Sequence, residues 1–86
     1  MIDKRVMDIR KLVGLNVSRL RREKALKQEP LAEVAGFTQS YLSQIENGHV
    51  NLTLLRLNDL AQCFGVSPIE FFRPPGTDAV DSDRGE

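Results

Sequence analysis

The sequence predicts an all-α fold of five short helices, and three observations carry that prediction. Apolar residues recur at helical spacing almost throughout residues 9–72. No segment shows the strict alternation of a half-buried strand. Residues that start and stop helices punctuate the chain at short intervals.

In the first helix, expected over 9–24, Ile9, Leu12, Val13, Val17 and Leu20 share a face. Arg19, Arg21, Arg22 and Lys24 take over towards its end. Leu31, Val34 and Ala35 mark a second helix starting near Gln28. Pro30 is tolerated there because first-turn N–H groups have no helical partner. Gly36 ends this helix, since glycine enters the left-handed region cheaply. Thr38 can cap a third helix over 39–46, and Gly48 ends it. Leu31, Val34, Leu42 and Ile45 can form the core shared by these two helices, with small Ala32 where they approach.

Asn51 or Thr53 can cap a fourth helix, with Leu54, Leu57, Leu60, Ala61 and Phe64 facing inward and Gly65 closing it. Ser67 caps the fifth, with Pro68 at its first position and apolar contacts from Ile69, Phe71 and Phe72. Arg73-Pro74-Pro75-Gly76 then stops regular structure. The expected organisation is an N-terminal extension (1–8), a helical domain (9–73) and a disordered acidic tail (74–86).

Eighty-six residues are expected to form one small domain, without a regulatory domain beside a catalytic one. The composition, 41% apolar and 28% charged, is ordinary for a globular chain. No apolar run approaches the roughly 20 residues of a membrane span, and the N-terminus lacks a signal-type stretch, so a cytoplasmic chain is expected. A lone cysteine, Cys63, excludes an internal disulfide and any multi-cysteine metal site. The zero net charge hides an asymmetry. Residues 1–30 hold nine Lys and Arg against four Asp and Glu, and residues 76–86 hold one against four. A basic front is what a polyanion-facing half needs, and equally what a solvated helix surface carries.

The stretch Gln28 to Gly48 has the layout of two short helices joined by a tight turn. Gln39, Ser40, Ser43, Gln44 and Asn47 lie on one side of the third helix, and none is charged. Exposed helices usually carry Lys and Glu, which are better helix formers. Amides and hydroxyls suit base edges instead: Gln and Asn bond adenine N6 and N7 in bidentate fashion. The competing reading is a merely polar surface.

This stretch resembles the Cro/cI-type helix-turn-helix family, also called the xenobiotic-response-element family. The resemblance covers about 60 residues, Val13 to Phe72. It is carried by Val17-Ser18-Arg19-Leu20-Arg21, Leu31-Ala32, Gly36, Leu42, Ile45-Glu46-Asn47-Gly48 and Leu60-Ala61…Phe64-Gly65-Val66-Ser67-Pro68, in order and spacing. It implies a five-helix, lambda-repressor-like domain with the helix-turn-helix at helices two and three. It further implies a sequence-specific transcriptional regulator of double-stranded DNA, its third helix in the major groove, binding as a homodimer to a palindromic operator.

By the same resemblance Gln39, Ser40 and Gln44 are base-reading positions, flanked by Tyr41 and Ser43. Gln28, Asn47, His49 and Asn51 match phosphate-contacting positions, and Arg21 and Glu46 match a structural ion pair. Arg19, Arg22, Lys27 and Thr38 complete the expected phosphate set. Tyr41 can stack, touch a thymine methyl or pack sideways. Several positions depart from the family pattern. Ala25 stands where a Gly usually follows helix one, Lys27 replaces a capping Ser or Thr, Pro30 a Glu, and Leu52 a Pro.

Other signals are weak. Cys63 fits a small core hydrophobe, and His49 has no second ligand or triad partner nearby in sequence. No catalytic constellation, metal site or cofactor is expected. Ile69, Phe71, Phe72 and Leu55 form an apolar excess suited to a dimer surface. The rival reading is an antitoxin-like interaction module that holds a protein partner, and the acidic tail, Asp78 to Glu86, can dock on a basic partner or on the protein's own DNA face. Residues 1–8 can extend helix one, act as a basic arm or join an interface.

Overall fold

The computed structural model describes residues 7–75. Four α-helices follow in order: α1 (Ile9–Glu23), α2 (Gln28–Ala35), α3 (Gln39–Glu46) and α4 (Leu54–Phe64). The fifth segment, Pro68–Phe72, is a 3-10 helix, so four α-helices replace the five expected. Five residues between a proline and Pro74 leave too few partners for a stable α-helical ladder, and the tighter i→i+3 turn takes over. Most of the expected N-terminal extension and of the expected disordered tail lies outside the described residues.

Local chemistry explains the boundaries. The side chain of Asp8 accepts from the Arg10 N–H at 2.8 Å and opens α1. The Arg10 guanidinium donates twice to the Asp8 carboxylate and, with that backbone bond, holds its pKa down at about 2. Thr38 caps α3 by accepting from Tyr41 N, and Thr53, not Asn51, caps α4 by accepting from Arg56 N. Gly36 has φ 80° and turns the chain between α2 and α3.

Helix α1 stops at Glu23, and Ala25 sits at φ 55°, the one non-glycine residue with positive φ among those described. An alanine Cβ is crowded in that region, at roughly 1–2 kcal/mol. Ala25→Gly is therefore expected to stabilise the domain by about 1 kcal/mol, because relief of that crowding exceeds the added unfolded-chain entropy. Thermal denaturation should show a rise of about 5 °C. An unchanged or lower midpoint would show that the turn tolerates Ala without strain.

The core gathers Val13, Val17, Leu20, Leu31, Leu42, Ile45, Leu57, Leu60, Phe64 and Phe71. Helix α1 packs chiefly against α3 and the 3-10 helix, and α2 packs against α3 and α4. Gly14, on the buried face of α1, allows the α1–α3 approach. A Cβ there would lie 2.8 Å from the Glu46 carbonyl oxygen and closer still to that of Ile45.

Asn16 is the buried polar residue of the core. Its Nδ2 donates to the carbonyls of Leu12, Phe71 and Arg73 at 2.9–3.0 Å, tying the C-terminal segment to the middle of α1. Its Oδ1 accepts from the Arg19 guanidinium.

Three expected core positions are exposed. Val34 is 74% exposed, Leu54 83% and Ile9 56%. The buried stripe of α2 runs through Leu31, Ala32 and Ala35, and Val34 sits one residue step, about 100°, round from Ala35. Ile9 and Leu54 open their helices and share a shallow apolar groove with Phe72, which no further helix covers among the described residues. In the last segment only Phe71 is buried, while Ile69 and Phe72 remain exposed.

Candidate nucleic-acid interface

Helix α3 is fixed from beneath by Leu42 and Ile45, both fully buried. That leaves Gln39, Ser40 and Gln44 exposed and Ser43 half-exposed on the outer side. Thr38 begins this surface, with its oxygen occupied by the capping bond and its hydroxyl hydrogen left to donate. Asn47, His49 and Asn51 continue it as exposed residues past the end of α3. Asn47 Nδ2 donates back to the Ser43 carbonyl at 2.9 Å.

Tyr41 packs sideways, edge-on to Phe37 with ring centroids 5.1 Å apart. Arg56, from the first turn of α4, lies over the other ring of this pair, 5.3 Å from the Phe37 centroid. Gly36, Phe37, Thr38, Tyr41 and Arg56 together line a shallow depression beside the first turn of α3.

An ion pair braces the far end of α3. Arg21 Nε and Nη2 donate to Glu46 Oε2 and Oε1 at 2.7 and 3.1 Å, and Arg21 Nη1 donates to the Leu26 carbonyl. The pair is largely withdrawn from water, with Arg21 17% and Glu46 8% exposed. Gln28 Nε2 donates to the same Glu46 Oε1 at 3.1 Å. The first residue of α2 is thus held against the last residue of α3. Lys27 precedes it as the N-cap and makes no side-chain capping bond.

The basic front sorts into two groups. Arg19 is bound into the protein, donating to Asn16 Oδ1 and the Glu70 carbonyl and facing the Glu23 carboxylate at 3.4 Å. That places it against the 3-10 helix, not among the residues around α3. Arg10, Arg21 and Arg73 are also paired with carboxylates. Arg22, Lys24 and Lys27, exposed around the end of α1 and the start of α2, form no ion pair among the described residues.

The sequence reading missed Gly14 and Arg56, which shape this surface, and Asn16, which ties the C-terminal segment to α1. Gly14 sets the distance between α1 and α3; a glycine inside a helical pattern was its signal. Asn16 was a polar residue within an apolar stripe. Arg56 was the one Lys or Arg between residues 31 and 72. Cys63 is half-buried against the core, and burial, then Asp59, pushes its thiol pKa up, which leaves a poor nucleophile. No helix among the described residues is long and apolar enough to cross a membrane.

Comparison with known proteins places the chain in a consistent group. The family described as helix-turn-helix (HTH_3) matches residues 17–71. The uncharacterized HTH-type transcriptional regulator y4dJ of Sinorhizobium fredii is 53% identical over 68 residues, covering 79% of this chain and 88% of that protein. The control protein C.SmaI of Serratia marcescens is 36% identical over 61 residues, covering 71% and 73%. Among solved structures, the restriction-modification controller protein C.AhdI of Aeromonas hydrophila superposes with a TM-score of 0.70. It is 33% identical, with 73% of this chain and 96% of that chain covered.

Proposed function

Because the chain belongs to the Cro/cI-type helix-turn-helix family of DNA-binding transcriptional regulators, we propose that it acts in the cytoplasm as a homodimer on a palindromic operator. Helix α3 enters the major groove. Gln39, Ser40 and Gln44 meet base edges, with Ser43 at the margin. Arg22, Lys27, Thr38, Asn47, His49 and Asn51 hold phosphates. Gln28 joins them through its second amide hydrogen, the first being given to Glu46. Arg19 has a structural role in this reading, in keeping with its bonds to Asn16 and Glu70.

The observation that carries the reading is the exposed, uncharged amide and hydroxyl face of α3, anchored by two fully buried apolar residues. Rigid support matters because base readout requires donors held at hydrogen-bond distance. The dimer reading is supported by exposed Leu54, Leu55, Ile69 and Phe72. Such apolar residues are expected to meet a second copy, placing two recognition helices about one DNA turn apart, roughly 34 Å. Buried Phe71 is no part of that surface.

The test is selection of bound sequences from a random duplex library, repeated with Gln39→Ala. A palindromic consensus is expected, with the base preference facing Gln39 relaxed in the variant. Loss of a bidentate base contact should reduce discrimination at that position by about 1–3 kcal/mol and leave the salt dependence unchanged. No enrichment from the wild-type protein would sink the reading and favour the interaction module. A non-palindromic consensus would sink the dimer alone.

A further inference from the structure

Arg56 lines the depression beside the first turn of α3, and an aromatic ring, not a carboxylate, lies against it. Like Arg22 it forms no ion pair among the described residues, whereas Arg10, Arg19, Arg21 and Arg73 all face carboxylates. Its guanidinium instead lies 5.3 Å from the centroid of the Phe37 ring. The attraction between cation and ring holds a long side chain in place and reduces the rotamer entropy lost when a ligand binds. A ring covers the guanidinium's face and leaves its edge, where the N–H donors lie, open to solvent.

The surroundings add polar groups of the right kind. The depression shared by Gly36, Phe37, Thr38, Tyr41 and Arg56 has three polar side chains, those of Thr38, Tyr41 and Arg56. None is acidic. The Thr38 hydroxyl still has its hydrogen to give, since its oxygen accepts the capping bond from Tyr41 N. The Tyr41 ring is set edge-on against Phe37. One cation, two hydroxyls and no carboxylate suit a phosphate, which forks onto guanidinium and accepts further hydrogen bonds.

We infer that Arg56, seated on Phe37 and flanked by Thr38 and Tyr41, grips a phosphate of the DNA strand bordering the groove that α3 enters. This rests on the regulator reading above and extends it to α4. It assigns Tyr41 to the backbone contact in place of base reading. It also gives the entry end of α3 a positive anchor that the uncharged face of the helix lacks.

The experiment compares wild type, Arg56→Gln and Arg56→Lys on two duplexes, the selected consensus and a scrambled version, over a salt series. Each phosphate neutralised by a cation contributes about 0.9 to the slope of log affinity against log salt. Arg56→Gln is expected to lower that slope by about 0.9 for each bound chain. It should weaken binding about tenfold at low salt, to the same extent on both duplexes. Arg56→Lys should keep the slope. Melting curves confirm that the variants fold, which the exposure of Arg56 leads one to expect. An unchanged slope in Arg56→Gln, with wild type binding normally, overturns the inference alone. A loss confined to the consensus duplex also overturns it, because it makes Arg56 a base reader. Absence of salt-dependent binding by the wild type overturns the regulator reading and this inference together.

Discussion

Gly14→Ala is expected to lower the melting temperature by about 15 °C. Inside an exposed helix the same change would stabilise by roughly 1 kcal/mol, because glycine carries the larger backbone entropy. Here the added Cβ would overlap the Ile45 carbonyl oxygen and crowd Glu46 O at 2.8 Å and Glu46 C at 3.0 Å. All three are backbone atoms at the end of α3, so no side-chain rotation relieves them. Helix α1 must move off α3, and both lose contacts in their main packing partnership. Overpacking of this kind costs about 1–3 kcal/mol and occasionally more. We expect about 3 kcal/mol net, a large share of the 5–15 kcal/mol typical of a whole domain. Since 1 kcal/mol moves a domain of this size by about 4–8 °C, a drop near 15 °C follows. Circular-dichroism melting checks it. A midpoint at or above wild type would mean that helix propensity wins and that the close approach contributes nothing.

The second large effect is expected at Glu46. Glu46→Ala leaves the Arg21 guanidinium, 17% exposed, without its bidentate partner, and it removes the acceptor of Gln28. Removing one member of a buried pair costs about 3–5 kcal/mol, chiefly for the charge left behind. Arg21 keeps some water and its bond to the Leu26 carbonyl, so the loss should fall at the lower end, about 3 kcal/mol. The double replacement Arg21→Met with Glu46→Leu should recover most of it, because a buried pair and a packed apolar pair differ little. Denaturant titration of the two singles and the double gives the coupling directly. If the two losses simply add, the pair holds nothing together.

The two predictions also mark where the sequence was legible. Helix beginnings and ends were readable because their causes are local. Thr38 accepts from Tyr41 N three residues on, Thr53 does the same for α4, and Gly36 turns at φ 80° whatever packs nearby. The uncharged face of α3 was readable for the same reason, since helical spacing alone places Gln39, Ser40 and Gln44 together.

What escaped depends on partners remote in the chain. Gly14 looks like a weak point in α1 until the end of α3 arrives against it. Arg56 is an ordinary helix residue until the turn after α2 brings Phe37 beneath it. Val34, Ile9 and Leu54 have the period of core residues, yet no element among the described residues covers them. The last segment carries correct cap chemistry in Ser67 and Pro68, yet its shortness made it a 3-10 turn. Periodicity reports which side of a helix is apolar; it does not report whether anything lies opposite.

Asn16 has a consequence for how this protein is made. The ribosome delivers α1 before α2, α3, α4 and the 3-10 helix, and synthesis at about 5–20 residues per second keeps it waiting for seconds while they follow. During that interval the Asn16 amide has only the nearby Leu12 carbonyl. Its other acceptors, the carbonyls of Phe71 and Arg73, lie 55 and 57 residues further on. A nascent chain halted before residue 71 can form the α2–α3 pair but must leave the amide solvated, which holds the middle of α1 open to water. Of the four α-helices described, the earliest to be made is therefore the last to be sealed.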